Sequence, residues 1–291
     1  MSRLRTVLAA SAAVLVLAGC TTGGEPDDGG GAAPRSPASS ASSAGAGEAS
    51  STAPVEATPP PAPEAAACYR YTFRELGRTS NDADPVACSG RHDAQTIFVG
   101  RLDLVVDGHR LAVDADRVRA QMARTCPRRM AEHLGGTAED RNLSRFAVVW
   151  FAPTLAQAEQ GADSFRCDLV AIAGQDRLLP LPPRPRVEGV LDRDGALTTY
   201  GLCGTAEPGT PGFDRVICDQ RHSWRAIATI ALSGGERYPG TARVRRSGDD
   251  SCRERASAEA EDPLSFEYGW EWPTKQQWER GQHYGFCWAP D

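Results

Sequence analysis

Apolar and polar positions alternate along several short stretches of the second two-thirds of the chain. Thr96–Val106, Arg145–Ala152 and Phe165–Ile172 have the period of strands, and so do Ser223–Leu232 and Phe266–Trp272 farther on. Between the first two stretches, Val118, Met122, Cys126 and Met130 recur at helical spacing within Asp114–Leu134, which ends at Gly135-Gly136. Pro127 sits inside that run, where a missing N–H and a ring clash predict a kink or a split. A shorter, weakly apolar helix is expected over Ser251–Glu261. Thr154-Leu-Ala-Gln157 and Thr274-Lys-Gln-Gln277 read as capping boxes, with Gly161 and Gly281 as the stops that follow. Segment 187–201, with an Asp194-Gly195 turn, reads as a hairpin packed between two copies of one unit.

The copies show in the register. Val86-Ala-Cys-Ser-Gly-Arg-His92 returns as Val216-Ile-Cys-Asp-Gln-Arg-His222, and Pro153–Cys167 aligns without gaps on Pro273–Cys287. The fold class expected is α+β: two tandem copies of a small disulfide-bonded module after a disordered linker. Module 1 covers 67–177, a Pro-rich connector 178–186 and module 2 187–291. Leu178 to Arg186 reads as a stiff spacer near polyproline II geometry.

The start of the chain is of another kind. Arg3 and Arg5 precede a short apolar run that ends Leu17-Ala-Gly-Cys20, so 1–19 reads as a lipoprotein signal peptide with Cys20 as the lipidated residue. The run is too short to span a bilayer as a mature helix. Residues 20–66 are rich in Ala, Ser, Gly, Pro and Thr and read as a lipid-anchored disordered linker. Such a linker spans roughly 35–40 Å and holds the folded part off the extracytoplasmic face of the membrane. Removal of the leader takes two arginines and leaves 30 basic against 38 acidic residues, a balance that excludes nucleic acid as a partner. Lys275 is the only lysine, and with the abundant Ala, Gly and Pro this reads as a high-GC source.

Cysteine sets the framework. Beyond Cys20, each copy carries four: Cys68, Cys88, Cys126 and Cys167, then Cys203, Cys218, Cys252 and Cys287. An even count in an exported chain reads as disulfides. Each copy allows three pairings. First-with-second and third-with-fourth is preferred, because the fourth Cys lies on a strand that can pack on the helix bearing the third. The competing reading is a Cys3His zinc site built on Cys88-x3-His92 and Cys218-x3-His222. It leaves Cys68 and Cys203 unpaired in an oxidising compartment, so no metal and no cofactor is expected.

Arg91, His92, Arg221 and His222 form the candidate polar site. No nucleophile or carboxylate repeats beside them: Ser89 becomes Asp219 and Asp93 becomes Ser223. The plain reading is that Arg-His caps a turn and bonds neighbouring backbone, and no catalytic residue is assigned. Phe266, Tyr268, Trp270 and Trp272 share one strand parity. They read either as core, like Phe146, Val148, Trp150 and Ala152 in the first copy, or as an aromatic face, with Tyr268, Trp270 and Trp272 stacking sugar rings.

The stretch Val86-Ala-Cys-Ser-Gly-Arg-His92-Asp93 after Cys68-Tyr69, with Trp278-Glu-Arg-Gly281 and Cys287 at the end, resembles the septum-formation-related domain of actinobacteria. The second copy departs at Asp219 and Ser223, and Ala158 replaces the Trp in the first. The resemblance implies an extracytoplasmic, membrane-linked module connected to division-septum assembly, and it brings no catalytic residues. The chain is therefore expected to be a non-enzymatic cell-surface lipoprotein with a protein-binding or scaffold role in septum or envelope biogenesis. Its expected partners are the membrane, through the anchor, and envelope or division proteins. The alternatives are a lipoprotein that binds cell-wall glycan or a small solute, and a hydrolase.

Overall fold

The computed structural model describes residues 58–184 and 186–291. The expected signal peptide (1–19), Cys20 and the expected linker through residue 57 lie outside them. Two five-stranded sheets organise the described residues. The first uses β1 (Cys68–Tyr69), β2 (Ala94–Arg101), β5 (Phe146–Phe151), β6 (Ser164–Gly174) and β7 (Arg177–Leu179), and β3 (Val105–Val106) with β4 (His109–Arg110) forms a small separate hairpin. The second uses β8 (Leu202–Gly204), β9 (Arg215–Ile217), β10 (Trp224–Ala231), β11 (Gly269–Glu271) and β12 (Tyr284–Pro290). The first sheet runs β1-β2-β6-β5 with β7 beside the far end of β6; the second runs β9-β8-β10-β12-β11. Both central pairs are antiparallel, and both carry a register shift at equivalent positions, Thr96/Phe98 and Ala226/Ala228.

Helix α1 (Asp116–Leu134) covers one face of the first sheet, followed by α2 (Ala138–Leu143). The helical spacing is realised: Val118, Met122 and Cys126 are buried against Cys167 and Phe165. The helix runs on through Pro127 rather than splitting there. The Cys126–Cys167 disulfide and the buried stripe on both sides of the proline hold it in one piece. The strand expected over Thr96–Val106 ends at Arg101, and Asp107-Gly108, both at positive φ, turn the β3–β4 hairpin instead.

The short helices α3 (Leu155–Glu159) and α7 (Lys275–Glu279) start as their capping boxes predict. Thr154 Oγ1 accepts from the Gln157 N–H at 3.2 Å and Gln157 Oε1 accepts from the Thr154 N–H at 2.9 Å, with the same pair at Thr274 and Gln277. Gly161 and Gly281 take the left-handed turn that follows, at φ 95° and 92°.

The segment between the two halves differs from both expectations. Leu178 and Leu179 belong to β7, and Leu181 is buried with its N–H bonded to the His92 carbonyl, so the first half of the proline-rich stretch is packed and not a free spacer. Residues 187–201 form a 3-10 turn (Val190–Asp192) and α4 (Ala196–Tyr200) in place of a hairpin, with Gly195 as the N-cap of α4 at φ 74°. Apolar burial decides this. Val187, Val190 and Leu191 enter a core with Leu134, Ala173 and Ile217, which come from both halves. Leu143 of α2 packs in the core of the second sheet beside Trp288, and Glu139 accepts from the Thr229 N–H at 2.8 Å on the edge of β10. The two halves therefore share a core. In the second, the helix expected over Ser251–Glu261 forms as α6 (Asp249–Glu259), and a further helix, α5 (Thr241–Ser247), precedes it across Gly248.

Candidate functional site

Four disulfides join Cys68 to Cys88, Cys126 to Cys167, Cys203 to Cys218 and Cys252 to Cys287. These are the pairings preferred from the order of the elements. They occupy the thiols of Cys88 and Cys218, so neither Cys-x3-His pair offers a thiolate to a metal.

Both motif histidines are anchored by the local backbone. Fully buried His92 donates from Nδ1 to the Gly90 carbonyl at 2.8 Å, which leaves Nε2 to accept from the Gln95 amide at 2.7 Å. Gln95 also donates to the Pro182 carbonyl at 3.0 Å, so this histidine ties the connector to the first sheet. His222 repeats the first bond, to the Gln220 carbonyl at 2.6 Å, and turns Nε2 to Asp291 Oδ2 at 2.6 Å. Arg225 grips the same carboxylate at 2.8 and 3.0 Å, and its hydrogen bonds, with those of His222, hold the Asp291 carboxyl down at about 2. Both ring nitrogens of each histidine are engaged. Ser223 donates to the Thr205 carbonyl and not to His222. Arg91 and Arg221 are exposed and do not join these bonds.

A buried charge cluster that the sequence reading missed lies on the face of the first sheet opposite α1. Asp168 accepts from Tyr71 Oη at 2.6 Å, Thr96 Oγ1 at 2.8 Å and Arg166 Nε at 3.0 Å. Arg166 also donates to Tyr71 Oη at 2.9 Å and to Asn81 Oδ1 at 3.1 Å, with its guanidinium 4.3 Å from the Tyr69 ring centroid. Burial pushes the Asp168 carboxyl up, and the Arg166 charge and the three donors oppose that shift. In register, Phe286, Trp288 and Ala226 stand in the second half where Arg166, Asp168 and Thr96 stand in the first. The signal was an Arg-x-Asp pair of one parity inside the otherwise apolar β6.

The aromatic face of the second half is largely core. Trp270 is buried, its indole donating to the Arg245 carbonyl at 3.0 Å, while Tyr268 and Trp272 are half-buried at its sides. Gly248 and Gly285 make room for it: a Cβ on either would stand 2.1 and 2.3 Å from the indole. At the matching places the first half has Met122 and Phe165, both buried. They fill that space, so Trp150 stays half-buried at the surface.

Trp150 contributes to a groove of about 820 Å³ between the N-terminal half of α1, the outer edge of β5 and residues 76–80. Ala120, Ala123 and Ala152 keep it open. The matching surface of the second half has Arg246, Asp249 and Trp272 there, around a charged depression of about 600 Å³. The groove is lined mainly by apolar side chains and runs beside a strand edge.

The architecture is that of a disulfide-bonded α+β protein, with paired sheets, histidines used to fix turns and an open apolar groove. A family model described as septum formation matches residues 66–287, which is nearly all of the folded part, and the chain belongs to that family. No curated protein and no solved structure matches it.

Proposed function

We propose that this chain is a non-enzymatic, lipid-anchored protein of the extracytoplasmic membrane face, with a protein-binding or scaffold role in septum or cell-envelope biogenesis. The septum-formation match over 66–287 carries the reading. Two features of the site support the absence of catalysis. His92 and His222 spend both ring nitrogens on structural bonds, so neither has a lone pair free to activate a nucleophile. The paired Cys88 and Cys218 offer no thiolate. A glycan platform on the second half is disfavoured, because burial of Trp270 withdraws the central ring of the aromatic face.

The test is time-lapse imaging of the tagged full-length protein in dividing cells beside a division-ring marker. Enrichment at the septum before constriction is expected. Uniform surface signal through the whole cycle overturns the septal role.

A further inference from the structure

We infer that the groove beside β5 receives an extended, uncharged peptide segment of a partner protein, which adds as a strand to the free edge of β5 and lays an apolar side chain beside Trp150. This rests on the protein-binding reading above and names where and what the protein binds.

The backbone argument comes first. The Arg145 carbonyl accepts from Ile172 on β6, so odd-numbered residues of β5 face β6 and even-numbered ones face outward. Ala152 confirms the parity: its N–H points away from β6 and donates to the Thr79 carbonyl at 2.9 Å. Beyond that single bond, β5 pairs on one side only among the described residues. The N–H and C=O groups of Val148 and Trp150 thus lie along the groove without a strand partner, next to the bond from Ala152 to Thr79. Free edges of this kind template the addition of a strand, and native proteins ordinarily blunt them with charge, proline or a bulge. None of these stands between Phe146 and Phe151. The matching strand of the second half, β11, has three residues against six in β5.

The choice of occupant follows from the same groups. An acyl chain or a sterol would cover the apolar wall and leave the edge donors and acceptors buried without partners, at about 1–3 kcal/mol each. A peptide satisfies both wall and edge. The charges at the rim are Arg78, Asp114 and the Asp116–Arg119 pair, joined at 2.8 Å; they sum to zero and select no strongly charged ligand. The alanines matter because the scaffold tolerates larger residues in their places. Trp272 occupies the position of Ala152, and Arg246 that of Ala120. The open groove is therefore not demanded by folding.

The experiment uses the full mature chain and an acetylated, amidated heptapeptide of alternating Thr and Val as probe. Amide exchange at Val148 and Trp150 is read by NMR with and without saturating peptide. Exchange of both amides is expected to slow at least tenfold, and the same peptide N-methylated at alternate residues is expected to have no effect. Ala152→Trp and Ala120→Arg, which copy the second half, are expected to abolish the protection and keep the spectrum of the folded protein. Equal binding of the methylated peptide overturns strand addition. So does protection of the two amides before any peptide is added, which would place another part of this chain or a second copy on the edge. The two readings fail separately: loss of peptide binding leaves septal enrichment standing, and a uniform surface signal leaves peptide binding standing.

Discussion

Asp168 is the residue whose removal should be felt most, and its partners make the cost calculable. It has no exposed surface and holds three side-chain donors: Tyr71, Thr96 and Arg166. Asp168→Leu leaves the Arg166 guanidinium buried without its counter-charge, a loss of about 3–5 kcal/mol for a broken buried pair. The hydroxyls of Tyr71 and Thr96 lose their acceptor in the same step, which moves the expectation toward the top of that range. Replacement of the whole cluster behaves differently. Arg166→Met, Asp168→Leu, Tyr71→Phe and Thr96→Val together remove the four interlocked polar groups and leave Asn81 Oδ1 its bond from the Ala83 N–H, and such exchanges are often neutral. The second half shows that the geometry accepts apolar residues there, since Phe286 and Trp288 occupy the matching places and are buried. The fourfold variant should therefore lie within about 1–2 kcal/mol of the parent. Urea unfolding with the disulfides intact reads both values, with an unchanged slope as the check that the denatured state is the same. A fourfold variant as unstable as Asp168→Leu would refute the reasoning, because the cluster would then contribute stability beyond its own internal satisfaction.

Thiol titration of the unfolded, unreduced protein should find none of the eight module cysteines reactive, and all eight after reduction. Replacing Cys126 and Cys167 by Ala opens a loop of 41 residues and should cost about 4 kcal/mol, against about 3 for Cys203 and Cys218 with a separation of 15, read by the same unfolding assay. Asp291, held down at about 2 by Arg225 and His222, contributes stability that is present above the unfolded carboxylate pKa of about 4 and is lost as the pH falls through about 2. The stability gap between the parent and Asp291→Asn should thus be open at pH 5 and closed near pH 2.

Features encoded within a few residues were legible in the sequence. The capping boxes at Thr154 and Thr274 depend on one side chain and an amide three residues on, and both form. The buried stripe of α1 is a period, and it survives Pro127. The disulfide partners followed from element order, because Cys167 and Cys287 lie on strands beneath the helices that carry Cys126 and Cys252. Features set by distant pairs were not legible. Asp194-Gly195 has the chemistry of a hairpin turn, but Val190, Leu191 and Leu197 have faces to bury against Leu134 and Ile217, and tertiary packing turned the segment helical. The same contest drew Leu181 out of a proline-rich spacer and into the core. The Arg166–Asp168 cluster was visible in principle, as two charges of one parity in an apolar strand with aromatic residues at the matching places of the other half.

The groove depends on an exchange that no single stretch reveals. A tryptophan stands at the same strand position in both halves, Trp150 and Trp270, and its fate is decided by two residues remote from it in sequence. Glycines at 248 and 285 let Trp270 into the core, and the cost is a helix broken at Gly248. Met122 and Phe165 fill that space in the first half, keep α1 continuous from 116 to 134 and leave Trp150 at the surface. Core and groove meet in the first half but lean on different residues. Phe165, Cys126 and Cys167 supply packing alone and Met122 serves both, whereas the small side chains of Ala120, Ala123 and Ala152 set how open the wall is. Substitutions at the alanines should change what the groove accepts at little cost in stability, and substitutions at Met122 or Phe165 should cost the several kcal/mol of a core cavity. That division is what allows a groove to be varied in one half of the structure while the matching residues of the other half close it.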